Sequence, residues 1–506
     1  MLFNSYAFIF GFLPPALAGF FIAARWGRTP ASIWLVLISF VFYAVWKPVF
    51  LPVLMVSIAF NYGMSELIGL SESRPKRQTA LLTAAIAVNL GALAYYKYLS
   101  ALLGFFRQNG IFDIPLGNVV LPLGISFFTF TQIGYLVDVK QGVAKDRGLL
   151  NFMQFVTFFP HLIAGPILHN QEMMPQFADQ RTYRFSGTNV AVGTVIFVIG
   201  LIKKCVLADP IGAIVPSGFA HAGALPMFDA WHVSLSYSLQ LYFDFSGYSD
   251  MAIGLARMFN IRFPLNFNSP YKAASVIDYW QRWHMTLTRY LNLYLYNPIA
   301  LAVTRRRLAR GLQASRKSYR TLRGFASMVA FPTFITMGLA GIWHGAGLQF
   351  LIFGLLHAFY LTVNHASRIF FPKPAGAAKP DSAPTHAGKV LLTYLCVLVG
   401  AIFFRAPSVA AAVDMLGGLV GLRGIGSPPG MADMAWIVLL YAIVWGMPNT
   451  QQIMSQYEPT LGKHQVAVSR WLRWRMTLPW AVASGIAAVI GLASLGNSGE
   501  FLYFQF

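Results

Sequence analysis

The residues with the clearest chemical potential are histidines and carboxylates set in apolar sequence. In GIWHGAGLQF, residues 341–350, His344 lies near the middle of a 33-residue run, 331–363, that holds no Asp, Glu, Lys or Arg. An unpaired polar group in hydrocarbon costs several kcal/mol, so an ionisable residue inside such a run is a functional candidate by default. Imidazole titrates near pH ~6.5 and can take up and return a proton around neutrality. The bland alternative is a satisfied core histidine that donates to a carbonyl and accepts from a hydroxyl. His284, flanked by Arg282 and Trp283, carries the same pair of readings. LYFDFSGYSD, residues 241–250, adds Asp244, Ser246, Tyr248 and Asp250, which could orient a basic residue, line a polar path or pin helices together. Histidines and carboxylates within apolar sequence are also the parts of a proton relay, so a proton-driven transporter stays in view.

Other chemistries are poorly served. There is no HExxH, and His161 with His169, like His357 with His365, lie eight residues apart, a spacing that turns ~80° away from a common helical face. No metal site and no permanently bound cofactor are expected. A GxSxG nucleophile elbow is absent, which speaks against a serine hydrolase. Cys205 and Cys396 stand far apart in apolar surroundings, offering no disulfide framework or CxxC pair, and read as inert buried thiols.

The elements that must carry these residues are membrane helices. The 506-residue chain is 56% hydrophobic and only 11% charged, far below the charge content of ordinary soluble domains. Apolar runs long enough to cross a bilayer recur from end to end, giving an all-α polytopic protein with about ten to twelve spans. We read residues 1–506 as a single membrane domain. The first apolar run lacks a basic leader and a small-residue cleavage site and is followed by Arg25 and Arg28, which suits a retained helix with its N-terminus outside. The long run 33–68 must then cross twice, with Lys47, Pro48 and Pro52 at the break.

Gly338, Gly341, Gly345 and Gly347 crowd around His344 and predict a break, a kink or a close helix approach there, able to open a mid-membrane cavity. Residues 156–177 are apolar but interrupted by Pro160, Pro166 and Pro175, which predicts a re-entrant, inward-facing segment. In residues 278–298, Trp280, Trp283, Leu287, Tyr290, Leu291 and Tyr294 form one helical stripe, and Arg282 and Arg289 share another face. That pattern predicts an interfacial helix. Residues 372–389, rich in Pro, Ala and Gly, read as a flexible loop.

The net charge of +21 comes from basic residues in short loops between spans, not from a nucleic-acid surface. The largest block, residues 304–323, has eight basic residues and no acidic one. It marks a cytoplasmic loop beside anionic membrane lipids, or a rim that attracts a phosphate-rich donor such as a coenzyme A ester.

PLGISFFTFTQIGYLVD (122–138), FFPHLIAGPI (158–167), YFDFSGYSDMAIGLARMFNIRFPLNFNSPY (242–271), WQRWH (280–284) and GIWHGA (341–346) together resemble the membrane-bound O-acyltransferase (MBOAT) family. The likeness is strongest to its bacterial polysaccharide branch, which includes the alginate O-acetyltransferase membrane subunit and the teichoic acid D-alanyl transfer protein. These core motifs fall within residues 120–365.

The resemblance implies a helical membrane fold whose cavity receives the family's histidine, which maps onto His344, and a second histidine, which maps onto His284. Residues 291–300, LNLYLYNPIA, depart from the RDYLYIPLGG common in relatives, and no acceptor-side role is carried over to them. By resemblance the protein takes an acyl group, expected to be acetyl, from cytoplasmic acyl-CoA across the bacterial inner membrane. An extracytoplasmic partner and a polysaccharide acceptor then receive it. His344 is the implied general base and His284 orients donor or acceptor. The tail, residues 496–506, ends in an aromatic stretch resembling one whose tyrosine has been implicated as an acyl carrier, here Tyr503. Residues 496–503 could extend about 25 Å, enough to fold back into a cavity. Two further readings stand beside the enzyme: a transporter of acyl groups or protons, and a non-catalytic scaffold for glycan export.

Overall fold

The computed structural model describes residues 1–111, 120–372, 381–462, 468–497, 499 and 501–502. Among these, every regular element is helical, apart from one isolated β-bridge between Pro264 and Leu461. Seven helices are long and apolar enough to cross a membrane, and four shorter apolar helices of 10–17 residues stand beside them. The division follows from where the apolar runs are interrupted. Run 33–68 is broken at Lys47 as expected, into helix Arg28–Ala44 and the span Pro48–Leu70. Run 331–363 is split between helix Phe331–His344 and helix Leu348–Phe370, with Gly345 and Gly347 in the connection.

The chain divides into two compact units. The first comprises Met1–Val206, Asp244–Leu265 and the described residues of Thr450–Gln505. Its centre is a phenylalanine cluster in which Phe8, Phe12, Phe42, Phe158, Phe159 and Phe259 make ring contacts at tilted and edge-on angles, the geometry that the ring quadrupoles favour. The proline-rich stretch 156–177 is broken as expected, into helices Leu149–Thr157, Phe159–Leu162 and Asn170–Ala178, and residues 152–170 are buried with the sole exception of Met153.

In the same unit, helix Gly187–Ile202 runs against residues 244–258, the second half of helix Met227–Met258. A Cβ on Gly193 would lie 2.5 Å from the Gly254 carbonyl oxygen, and one on Gly200 would lie 2.5 Å from that of Gly247. Only glycine permits such an approach, and these two points of backbone contact recur after seven residues, two helical turns. The helix continues into a π-helical turn, Lys203–Ala208.

Of the described residues, the second unit comprises Leu207–Phe243 and Asn266–Asn449. It holds the hairpin Phe331–His344 and Leu348–Phe370, helix Ala383–Arg405 and helix Met431–Gly446. Inside it, the Ser238 hydroxyl lies 2.7 Å from the Tyr394 hydroxyl and 2.9 Å from that of Tyr441, the two phenols also bond to each other, and the Tyr271 hydroxyl donates to the Ser238 carbonyl at 2.7 Å. This buried hydroxyl cluster ties three helices with mutually satisfied polar groups.

Two expectations are corrected here. The single interfacial helix over 278–298 is instead two short helices, Val276–Trp280 and Met285–Leu291, followed by a π-helical turn, Asn292–Tyr296. The break is at His284, whose backbone is left-handed (φ +41°), so Arg282 and Arg289 do not share a helical face. The loop 372–389 is also shorter than expected. Helix Ala383–Arg405 begins within it, its start held by a Ser382–Thr385 hydroxyl contact and a Lys389–Asp381 ion pair, while residues 373–380 lie outside the described residues.

Candidate active site

His344 is the last residue of its helix. The break that the glycines predicted is a hairpin turn, so the middle of the apolar run is the end of a helix and not its centre. The two arms touch backbone to backbone: a Cβ on Gly341 would fall 2.3 Å from the Phe350 carbonyl oxygen, and one on Gly354 would fall 2.2 Å from that of Met337. This contact fixes what surrounds the imidazole. Its ring centroid lies 4.7 Å from Trp343, 5.0 Å from Phe404 and 5.9 Å from Phe353, and the residue is 7% exposed. A neutral imidazole in such a box is the form that can accept a proton from a hydroxyl.

One turn after Phe353 stands His357, which the sequence offered only as a rejected metal ligand. The Trp280 indole N–H donates to its Nδ1 at 3.2 Å. Indole nitrogen can only donate, so Nδ1 carries the lone pair and the neutral ring keeps its proton on Nε2. A Cβ on Gly400 would lie 2.6 Å from that Nε2. Ring contacts then run onward from His357 to Tyr279 at 6.3 Å, Tyr279 to Trp283 at 5.8 Å, Trp283 to Phe267 at 5.0 Å and Phe267 to His284 at 6.3 Å. Since Phe353 also contacts His357 at 4.7 Å, a continuous line of rings joins His344 to His284.

His284 is held by Asn266. The Asn266 side-chain oxygen accepts from the Thr286 amide at 3.3 Å and the Thr286 hydroxyl at 2.8 Å, and lies 3.0 Å from His284 Nδ1. Because the Thr286 amide can only donate, that oxygen is an acceptor, His284 Nδ1 is protonated, and Nε2 is the basic nitrogen. Both residues are buried, and burial pushes the His284 imidazole down to about 3, which keeps it neutral. A non-glycine residue at positive φ costs ~1–3 kcal/mol, and the Met285 amide bond to the Asn266 carbonyl at 2.9 Å helps to hold it.

A cavity of about 260 Å³ lies beside this line, with Trp280, Gln281, Asn292, Thr333, Thr336 and His365 among its lining residues. Its amide, hydroxyl and imidazole groups could orient a polar ligand. Trp280 serves both as its wall and as the donor to His357.

Asp244 and Asp250 belong to the first unit. Each faces a lysine on the turn Lys203–Ala208, so each carboxylate both orients a basic residue and joins two helices. Lys204 pairs with Asp244, and Lys203 Nζ lies 2.6 Å from Asp250, which also accepts from the Thr450 hydroxyl at 2.6 Å. Lys203 and Lys204 are adjacent in the sequence, and only the fold brings each to a carboxylate at least 40 residues further on. Tyr248 stacks on Phe501 with centroids 4.4 Å apart, and the Leu502 amide donates to Asp244 at 3.1 Å. Tyr503 lies outside the described residues.

Fold and site together define a polytopic helical membrane protein built around buried histidines. Comparison with known proteins gives this class its family. The sequence pattern described as MBOAT, membrane-bound O-acyltransferase family, matches residues 136–314. The chain is 38% identical over 457 residues to a peptidoglycan O-acetyltransferase from Helicobacter pylori, covering 84% of this chain and 81% of the relative. It is 35% identical over 422 residues to a probable alginate O-acetylase AlgI from Pseudomonas aeruginosa, covering 82% and 74%. A teichoic acid D-alanyltransferase from Bacillus subtilis is 26% identical over 293 residues, covering 57% and 70%. The chain belongs to the membrane-bound O-acyltransferase family and is a multi-pass membrane enzyme of acyl transfer.

Proposed function

We propose that the protein is an inner-membrane O-acetyltransferase that moves an acetyl group from cytoplasmic acetyl-CoA across the bilayer for O-acylation of an exported polysaccharide. The observation that carries this reading is the buried His344 in its aromatic box. The relatives' names, which specify peptidoglycan and alginate, support a glycan acceptor. His344 takes the proton of the accepting hydroxyl as its oxygen attacks the thioester carbonyl. The tetrahedral intermediate then expels the coenzyme A thiolate, which recovers the proton from the imidazolium. A base so placed contributes ~10²–10⁴-fold. His284, fixed by Asn266 with Nε2 basic, orients donor or acceptor.

Coenzyme A stays in the cytoplasm while the acyl group moves outward, and Tyr503 is the intermediate carrier. A phenyl ester, whose leaving phenol has a pKa near ~10, retains much of the thioester's transfer potential. An extracytoplasmic partner then delivers the group to the glycan.

Purified protein with isotope-labelled acetyl-CoA provides the test, followed by coenzyme A release and by intact mass of the C-terminal peptide. The expected result is acetyl capture on Tyr503 that falls at least about 100-fold in His344→Ala. Unchanged turnover in that variant rejects the assigned base. Proton flux that depends on Asp250 without coenzyme A release identifies a transporter instead.

A further inference from the structure

We propose that the Lys204–Asp244 pair, together with Tyr248 and Phe245, forms a seat that binds Phe501 and Leu502, two residues close to the chain's end, and fixes their register. The placement of these groups carries the proposal. Lys204 is 2% exposed and Asp244 1%, so the pair is buried within apolar helices, where an ion pair is a weak source of stability and removing one partner is costly.

Lys204 engages one carboxylate oxygen of Asp244, and the other accepts the Leu502 amide at 3.1 Å. Phe501 is stacked on Tyr248, at an interplanar angle of 20°, and touches Phe245 at 5.9 Å. Phe501 and Leu502 are 1% and 6% exposed. A carboxylate, a lysine that orients it and two aromatic rings therefore meet one backbone amide and one phenylalanine. The seat stands on the glycine contacts of Gly200 with Gly247, which bring the lysine-bearing turn up to Asp244.

The carboxylate serves as a positioning group, acting on the tail and not on a reacting atom. It bears on the acyl relay proposed above, because the residue after Leu502 is Tyr503, but it is tested without turnover. The measurement is hydrogen exchange of the full-length protein in detergent, with fragmentation that isolates the Leu502 amide.

The expected result is exchange at least about 100-fold slower than in a free peptide of the same sequence, with most of that protection lost in Phe501→Ala and in Asp244→Asn. Asp244→Asn leaves Lys204 facing a neutral amide and can impair folding, so Phe501→Ala, made on the tail itself, decides the matter. Exchange at the free-peptide rate in the unmodified protein, or protection that persists in Phe501→Ala, overturns the seat. A protected Leu502 amide combined with no acetyl on Tyr503 upholds the seat and removes the relay.

Discussion

A histidine at positive φ is an expensive way to break a helix, and His284 shows what holds it there. One asparagine, 18 residues earlier, receives its Nδ1 proton and both donors of Thr286. Nothing in WQRWH announces this. The motif marked the histidine, but the tautomer and the backbone turn are set by Asn266, so a local helical stripe was read where a long-range contact rules.

His161 is similarly enclosed, its Nε2 donating to the Phe155 carbonyl at 2.8 Å. Burial pushes His161 down to about 4 and His284 to about 3, and neither lies in a candidate span. Above pH ~6.5 both are neutral whether folded or unfolded and add no pH dependence. Below it the unfolded chain binds protons that the folded protein refuses, so stability falls as pH drops, by ~1.4 kcal/mol per pH unit for each histidine. Denaturant unfolding in detergent between pH 7 and 5 should show this slope. His161→Gln, which keeps an N–H donor, should reduce it by one proton's worth.

At the level of elements, close glycine contacts do the positioning, two in each unit. Around His344 the sequence marks Gly338, Gly341, Gly345 and Gly347 as signals for a break or a close approach, and the break lies where they cluster, whereas Gly193, Gly200, Gly247, Gly254 and Gly354 carry no such mark. What could not be read was the partner: Trp280 and His357 are 77 residues apart, and only the folded hairpin brings the indole to the imidazole.

The hairpin contact yields a paired prediction. Gly341→Val forces atoms into the Phe350 carbonyl, costs ~1–3 kcal/mol by overpacking, and shifts His344 within its box, so acyl transfer should fall at least about tenfold. Gly338→Val, whose Cβ would meet nothing closer than Leu355 at 3.6 Å, should keep most of its activity. Parallel turnover assays on the two variants, matched for expression and detergent-stable folding, separate a geometric effect from a general loss of apolar packing.

For the whole molecule, composition alone gave the class: a chain with 11% charged residues and repeated apolar runs is a membrane protein. The basic block 304–323 adds an orientation, since Arg305, Arg306 and Arg310 are exposed and the positive-inside rule assigns them to the cytoplasm. In a background with Cys205→Ala and Cys396→Ala, a cysteine introduced at Arg310 should resist a membrane-impermeant maleimide in intact cells and react after permeabilisation. Labelling in intact cells would reverse the assigned orientation.

Leu502 returns to a helix 258 positions earlier through its main-chain amide and not its side chain. A main-chain donor is common to every amino acid except proline, so this contact measures position along the tail and is indifferent to what Leu502 is. The chain end thus behaves as a ruler counted from Phe501. Inserting one residue between Leu502 and Tyr503 would move the tyrosine one position along the chain while leaving both seated residues unchanged.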